Sequence, residues 1–249
     1  MATMAIGDIH GNLRALDDLL SKVQAELQAE DTVVFLGDYI DRGPDTRGCV
    51  DRILEFRATV PATVVALLGN HEDWLLQTLA DPTRHSWVFG MEAFDTIASY
   101  SRQAATELRS ALEDVGPRLL NERVALPYDL FFSTMPKSHL DFFHTLQTYL
   151  RSPDAICVHG GLDPTILDLE QQPRDALLWG MDDFVQNYRG PDIVVYGHWG
   201  DARINSKGWP VPRIGAHTIG IDTIAHGVLT AIRLPGRDVW QSSRYESGT

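Results

Sequence analysis

The chain has 249 residues, of which 44% are hydrophobic, and its 34 acidic and 21 basic side chains give a formal net charge of −13 at pH 7. This length and apolar content suffice for a sizeable core, and we predict one domain over residues 1–249. The negative charge argues against a nucleic-acid polymer as the main partner, because binding a phosphate backbone requires a basic surface.

No stretch approaches the roughly 20 apolar residues needed to span a bilayer, so we predict no association with a membrane. The only two cysteines, Cys49 and Cys157, lie among apolar residues and are expected to be unpaired thiols in a reducing compartment. Because the first motif begins at residue 7, we expect no signal peptide. We therefore expect a cytoplasmic location, while the oligomeric state stays open.

The first eighty residues alternate predicted strands and helices in units of about thirty residues, the length of a βαβ unit. Residues 33–36 and 64–68 are apolar runs typical of buried strands. Between residues 13 and 27 apolar side chains follow helical spacing, with Asn12 as a candidate N-cap. Because βαβ crossovers are right-handed and join parallel strands, successive strands should be neighbours in one sheet.

Residues 82 to about 150 interrupt this alternation with scattered aromatic residues and prolines, and they predict a mostly helical insertion beside the site. Further buried strands are predicted at residues 155–158 and 193–196. Residues 218–222 and 227–234 resemble an antiparallel ribbon. The polar residues 242–249 are expected to fray.

Five short polar motifs dominate the chain, and four of them follow apolar runs directly. They are GDIHG at residues 7–11, GDYIDRG at 37–43, GNHE at 69–72, HGG at 159–161 and GH at 197–198. In an α/β sheet, ligands bind beyond the carboxyl ends of the strands. Aspartate, histidine and asparagine side chains from remote parts of the sequence should therefore converge at one edge.

This mixture of carboxylate, amide and imidazole donors, without thiolate, suits hard divalent cations. We assign Asp8 and His10 to one ion, Asn70, His159 and His198 to a second, and Asp38 to both. Two metals roughly 3.5 to 4 Å apart can hold an attacking hydroxide and neutralise the charge of an in-line displacement. The expected reaction is direct hydrolysis of a phosphoester without a phosphoenzyme.

Three further residues are assigned to catalysis. His71 follows the ligand Asn70 and points elsewhere, so it is available to give a proton to the leaving group. Asp41 is the candidate carboxylate that orients His71 and stabilises its imidazolium form. The planar guanidinium of Arg42 matches the oxygens of a phosphate.

The ordered motifs resemble the phosphoprotein phosphatase superfamily, in the bacterial and phage branch that also includes symmetrical diadenosine tetraphosphatases. The resemblance implies a four-layer α/β/β/α sandwich, a dinuclear centre of the Mn²⁺ type, and the residue roles given above. Fe, Zn and Ni accept the same donors, so the native metal is open.

One departure from the family pattern concerns a second arginine that binds phosphate. Relatives carry it in a Trp-x-Arg stretch, whereas this chain has Trp179, Gly180 and Met181. Arg203 is the favoured substitute as a substrate-binding residue, because it follows the ligand His198 by five residues. The other candidates are Arg174 and Arg189. Two alternatives stay open: that no arginine replaces the missing one, and that all three arginines have ordinary surface roles. Trp199 also departs from the family pattern, and it either lines the mouth of the site or packs beneath the following turn.

The remaining polar candidates receive structural interpretations. Glu72 is expected to initiate a helix or support the site, and Asp222 to be structural. Five histidines are expected to have ordinary core or surface roles: His85, His139, His144, His217 and His226.

We predict a metal-dependent phosphoesterase that removes phosphate from phosphoserine or phosphothreonine in proteins. The first alternative is a symmetrical dinucleoside polyphosphate hydrolase or another nucleotide phosphatase, for which Trp199 could stack a base. The second alternative is a binding module that keeps the fold without catalysis, although the complete set of donors argues against it.

Overall fold

A computed structural model describes residues 1–245. Two five-stranded sheets form its centre. In spatial order, the first sheet consists of β12 (Asp238–Gln241), β11 (Thr230–Leu234), β1 (Thr3–Ile6), β2 (Thr32–Phe35) and β3 (Thr63–Ala66). In spatial order, the second consists of β4 (Tyr149–Arg151), β5 (Ile156–Val158), β6 (Val194–Tyr196), β10 (Thr218–Gly220) and β9 (Arg213–Ile214). A separate ribbon pairs β7 (Arg203–Ile204) with β8 (Pro210–Val211).

The helices divide into three groups along the chain. The first group is α1 (Leu13–Gln24), α2 (Thr46–Thr59) and α3 (Asn70–Ala80). The second is α4 (Ser86–Gly90), α5 (Ala93–Tyr100), α6 (Arg102–Val115), α7 (Asp129–Phe132) and α8 (Lys137–His144), and the third is α9 (Arg174–Trp179) and α10 (Phe184–Asn187). Asn12 is the N-cap of α1 as predicted, but its side chain makes no capping hydrogen bond, and the helix ends before Leu27.

The strands alternate their side chains between two cores, which explains the four layers. In β2, Val33 and Phe35 pack against the helices α1 and α2, whereas Val34 faces the second sheet. In β5, Ile156 and Val158 pack against α9 and α10, whereas Cys157 faces the first sheet. Because successive side chains of a strand point to opposite faces, each apolar run covers both sides of its sheet. The predicted α/β/β/α sandwich is confirmed.

The pairing of the strands confirms the predicted βαβ units and corrects the predicted antiparallel ribbon. Strands β1, β2 and β3 are parallel neighbours. The predicted ribbon of residues 218–222 and 227–234 is wrong, because β10 pairs in parallel with β6 while β11 pairs antiparallel with β1 in the other sheet. Short apolar runs show only that both faces of a strand are buried, and they carry no information about the partner strand.

The interval predicted as a helical insertion contains α4 to α8, and its last residues form β4 at the edge of the second sheet. Its apolar side chains join the core that α1 and α2 form on the first sheet. Within residues 1–245, none of the helices has the length and apolar character required to cross a bilayer.

The C-terminal residues that were expected to fray are held as far as the structure describes them. The backbone N–H of Ser242 donates to the carbonyl of Leu229 at 2.9 Å, and that of Tyr245 donates to Gly227 at 2.8 Å. Residues 246–249, the end of the same predicted segment, lie outside the described residues.

Candidate metal centre

The six predicted metal ligands lie at the carboxyl ends of strands from both sheets. Asp8 and His10 follow β1, Asp38 follows β2 and Asn70 begins α3 after β3, while His159 follows β5 and His198 follows β6. Five of them are buried, and His198 is half-buried. The two sheets therefore bring the side chains together from positions up to 190 residues apart, as in the hydrogen bond between Asp8 and His198.

Asp38 lies at the middle of the cluster. Its Oδ1 is 3.3 Å from Nε2 of His159, and its Oδ2 is 3.6 Å from Nε2 of His10. The Oδ1 of Asn70 lies 2.8 Å from Nε2 of His159 and 3.0 Å from Nδ1 of His198. Two groups of carboxylate and imidazole side chains that share Asp38 are close enough to hold cations: His10, Asp38 and His71, and Asp38, His159 and His198. The first group contains His71, the predicted proton donor, and does not include the predicted ligand Asp8.

Backbone carbonyls fix the orientation of two of the histidine rings. Nδ1 of His10 is 2.9 Å from the carbonyl of Ile40, and Nδ1 of His159 is 3.0 Å from the carbonyl of Leu36. A carbonyl only accepts, so each Nδ1 carries a proton, and the Nε2 that faces Asp38 is the nitrogen left to bind a cation. This tautomer is the one that a metal ligand requires.

The electrostatics of the cluster favour cations. Burial lowers the pKa of His10 to about 3 and that of His198 to about 4, so both rings are neutral. Asp8 Oδ2 accepts the backbone N–H of His198 at 2.9 Å, whereas its Oδ1 is buried without a hydrogen-bond partner. Burial, followed by the charges of Asp222 and Asp38, raises the pKa of Asp8. An unpaired buried oxygen beside neutral imidazoles fits a hard divalent cation.

The backbone at the site is strained. Five of the predicted functional residues have φ between 46° and 68°, in the left-handed region: His10, Asp38, Asp41, Arg42 and His198. Such conformations cost on the order of 1–3 kcal/mol each and persist where the surrounding structure holds them. A Cβ on Gly197 would overlap Oδ1 of Asp8, so that turn requires glycine for close approach.

The predicted catalytic residues lie beside the same cluster. Nδ1 of His71 is 2.7 Å from Oδ2 of Asp41, and both residues are buried. Although burial opposes it, the carboxylates of Asp38 and Asp41 raise the pKa of His71, which favours its proton-donating form. The guanidinium of Arg42 is 2.9 Å from Nε2 of His10 and 3.2 Å from Nε2 of His71, so it borders the same space.

Comparisons with known proteins agree with this arrangement. The family model for calcineurin-like phosphoesterases matches residues 1–227. The chain belongs to the calcineurin-like phosphoesterase family. A symmetrical bis(5'-nucleosyl)-tetraphosphatase of Pectobacterium carotovorum is 35% identical over 283 residues, which cover 98% of this chain and 94% of that protein.

Two other relatives are similar over different lengths. Serine/threonine-protein phosphatase 1 of Salmonella typhimurium is 35% identical over 83 residues, which cover 33% of this chain and 35% of that protein. The crystal structure of a putative diadenosine tetraphosphatase superposes with a TM-score of 0.63 at 21% identity, covering 98% of this chain and 94% of that one. At that identity the superposition supports the fold alone.

Glu72 of the phosphoesterase supports the loop that carries Asp38. Its carboxylate accepts the backbone N–H groups of Asp38 at 2.9 Å, Tyr39 at 2.8 Å, Ile40 at 3.2 Å and Gly69 at 3.1 Å. Burial raises its pKa to about 7. These contacts agree with a structural rather than a catalytic interpretation of Glu72.

The structure does not bring Arg203 to the cluster. Arg203 lies on the exposed strand β7 and lines a cavity of about 450 Å³ together with Arg189 and Arg213. Arg174 forms an ion pair with Asp73 at 2.6 Å. The residues that follow His198 form the β7–β8 ribbon instead of folding back over the site. Among the arginines of residues 1–245, Arg42 alone forms hydrogen bonds with histidines of the cluster.

The tryptophans near His198 pack around it. The Trp199 indole N–H donates to the carbonyl of Gly160 at 2.7 Å, and its ring lies 5.5 Å from that of His198. The ring of Trp179 lies 5.7 Å from the same histidine. Trp199 therefore contacts the HGG turn, whereas the sequence placed it at the mouth of the site or beneath the turn that follows it.

Two contacts to Asp41 were not anticipated from the sequence. Trp87 donates its indole N–H to Asp41 Oδ2 at 3.0 Å, and the Thr96 hydroxyl donates to Asp41 Oδ1 at 2.6 Å. Trp87 is one of the scattered aromatic residues of the interval that begins at residue 82, and Thr96 carried no local signal. Both lie in the helical segment after residue 82, whose docking cannot be inferred from a motif.

Proposed function

We propose that this phosphoesterase hydrolyses dinucleoside tetraphosphates symmetrically, converting diadenosine tetraphosphate into two molecules of ADP. The observation that carries this proposal is the similarity to a symmetrical tetraphosphatase over 98% of the chain. Two groups of possible metal ligands that share Asp38 support it. The phosphoprotein specificity predicted first has weaker support, because the similarity to a protein phosphatase covers 33% of the chain.

We assign the two cations, Mn²⁺ in the first place and Fe, Zn or Ni as alternatives, to the predicted ligands Asp8, His10, Asp38, Asn70, His159 and His198. When bound, such ions activate water and neutralise charge on the phosphoryl group. Asp38, which contacts histidines on both sides, would hold both ions.

Three side chains would act on the phosphate itself. Arg42 presents a planar fork beside His10 and His71 and would bind the oxygens that do not react. His71 would give its proton to the oxygen of the leaving nucleotide as the phosphorus–oxygen bond breaks. Asp41, at 2.7 Å, would orient the ring and stabilise the imidazolium form.

The shape of the surface beside the centre supports an extended substrate. A cavity of about 180 Å³ is lined by His10 and Arg42, and a second one of about 320 Å³ reaches Arg244. The two cavities share Asn12, Ile224 and Ala225, so the space continues from the centre along the surface. A polyphosphate chain with nucleosides at both ends can use such a groove more fully than a phosphoserine can.

A substrate panel on metal-reconstituted protein tests the proposal. We expect kcat/KM for diadenosine tetraphosphate to exceed that for a phosphoserine peptide by at least tenfold, with ADP as the sole nucleotide product. Release of AMP and ATP would contradict symmetrical cleavage. The Asp38→Asn variant serves as the inactive control.

The second candidate function is that of a serine/threonine protein phosphatase. The order of the motifs and the Salmonella typhimurium relative favour it. A higher kcat/KM for the phosphopeptide in the same panel would select this candidate. A metal-to-protein ratio near zero, with no hydrolysis of any substrate, would select the non-catalytic binding module.

A further inference from the structure

We infer that Trp87 and Thr96, in the helical segment outside the sandwich, are positioning residues that hold Asp41 and, through it, the proton donor His71. The inference rests on the proposed role of His71. It gives the segment containing α4 and α5 a part in the reaction, in addition to its contribution to the core.

The Thr96 hydroxyl makes three contacts, two of them with Asp41. It donates to Oδ1 of Asp41 at 2.6 Å and accepts the backbone N–H of the same residue at 2.8 Å. The hydroxyl of Thr46 lies 3.1 Å away and is the donor there, since Thr96 has one proton to give. One donor and two acceptor positions are the whole capacity of a hydroxyl, so its orientation is fixed.

Trp87 holds the other side of the carboxylate. Its indole Nε1 lies 3.0 Å from Oδ2 of Asp41 and 3.3 Å from Oδ1. The ring is fully buried against Phe131 and Phe132, with centroids 5.6 and 6.4 Å away. An indole nitrogen can only donate, so this contact is a fixed donor to a carboxylate acceptor.

The two contacts together prevent the carboxylate from turning. Oδ1 is held by Thr96, and Oδ2 is shared between Trp87 and Nδ1 of His71. Asp41 also has a left-handed backbone, with φ of 68°, and its N–H is tied to Thr96. A carboxylate fixed in this way sets the plane of the His71 ring and points its Nε2 toward Asp38, 3.8 Å away.

The test compares two substrates that differ in their need for a proton donor. Phenolate, from a phenol with a pKa of about 10, is a poorer leaving group than p-nitrophenolate, so phenyl phosphate depends more on general acid catalysis. The quantity compared is the ratio of kcat for phenyl phosphate to kcat for p-nitrophenyl phosphate. We expect Trp87→Phe and Thr96→Val each to lower this ratio by roughly tenfold relative to the parent, with a small change in KM. Thr96→Ser, which keeps the hydroxyl, should restore the parent ratio.

Tyr100→Phe is the matched control. Tyr100 lies on the same helix as Thr96, and its hydroxyl forms a buried hydrogen bond of 2.7 Å with His139 rather than with Asp41. We expect this variant to lose stability without changing the ratio of the two kcat values. Equal losses on both substrates for Trp87→Phe and Thr96→Val, or a ratio for Thr96→Val matching that of Tyr100→Phe, would overturn the inference.

If either Trp87→Phe or Thr96→Val fails to fold, the kcat ratio of the other variant tests the inference by itself. The comparison of the two aryl phosphates also does not depend on whether diadenosine tetraphosphate is the substrate. A parent protein that hydrolyses aryl phosphates but not diadenosine tetraphosphate would overturn the substrate and leave this comparison intact.

Discussion

Asp38 is the residue on which both halves of the centre depend, because it contacts His159 through Oδ1 and His10 through Oδ2. Although burial opposes it, the charges of His159 and His71 hold the pKa of Asp38 well below its usual range, so its carboxylate is ionised. A neutral amide at this position removes negative charge from both donor groups at once.

We therefore predict that Asp38→Asn abolishes hydrolysis at any Mn²⁺ concentration, whereas His10→Asn weakens the affinity for one ion only. Chelation should abolish the activity of the parent, and Mn²⁺ should restore it. Activity assays combined with metal analysis by mass spectrometry check both statements. Full activity of exhaustively chelated parent protein would rule out the metal mechanism.

Arg42 and Arg203 offer a second comparison at the scale of single residues. Charge-assisted hydrogen bonds contribute about 1.5–3 kcal/mol, so removing a guanidinium that binds phosphate should cost roughly tenfold or more in kcat/KM. Arg42 borders the histidines, whereas Arg203 lies on exposed β7.

We predict that Arg42→Ala loses at least this factor and that Arg203→Ala stays within about twofold of the parent. Steady-state kinetics with p-nitrophenyl phosphate measure both. A tenfold loss in Arg203→Ala would show that β7 approaches the substrate during turnover.

At the scale of elements, Glu72 ties the loop after β2 to the start of α3. Oε1 accepts from Tyr39 and Ile40, and Oε2 accepts from Asp38 and Gly69. A glutamine in either orientation would place its NH₂ group against two backbone N–H donors. Each buried group left without a partner costs about 1–3 kcal/mol.

We predict that Glu72→Gln lowers the free energy of unfolding by at least about 2 kcal/mol and weakens metal binding, because the loop carries Asp38. Urea denaturation in the presence of chelator measures the first effect without the metal. Glu30→Gln, at an exposed position, should stay within about 0.5 kcal/mol of the parent. Equal stability of the two variants would show that Glu72 does not hold the loop.

At the scale of the whole molecule, the donors belong to two sheets. Asp8 and Asp38 follow strands of the first sheet, and His159 and His198 follow strands of the second. Ions held by both sets bind the folded state in preference to the unfolded one. At a free concentration of about 100 times Kd, such binding contributes about 2.7 kcal/mol.

For a chain of this size, that contribution corresponds to a rise in Tm of about 5 to 10 °C. We predict this rise when Mn²⁺ is added to the chelated parent and its absence in Asp38→Asn. Differential scanning calorimetry at two Mn²⁺ concentrations measures it. An equal shift in the variant would indicate binding elsewhere on the acidic surface.

Much of the fold and of the site follows from local patterns. The spacing of Asp8, Asp38 and Asn70 predicts parallel neighbouring strands, and the structure has β1, β2 and β3 in that arrangement. The apolar runs predict strands buried on both faces, because every second side chain needs cover. The motifs predict which donors gather at the strand ends, and the structure brings them together there.

What depends on contacts between remote elements was decided by the tertiary structure alone. The separation of β10 and β11 into different sheets depends on which open edge each strand meets, and a short apolar run does not specify that edge. The position of Arg203 depends on where the β7–β8 ribbon turns. The contacts of Trp87 and Thr96 with Asp41 depend on the docking of α4 and α5. Local sequence patterns specify helices, strands and buried positions. Trp87 and Thr96 lie 46 and 55 positions from Asp41, so their hydrogen bonds to it form only when the chain has packed.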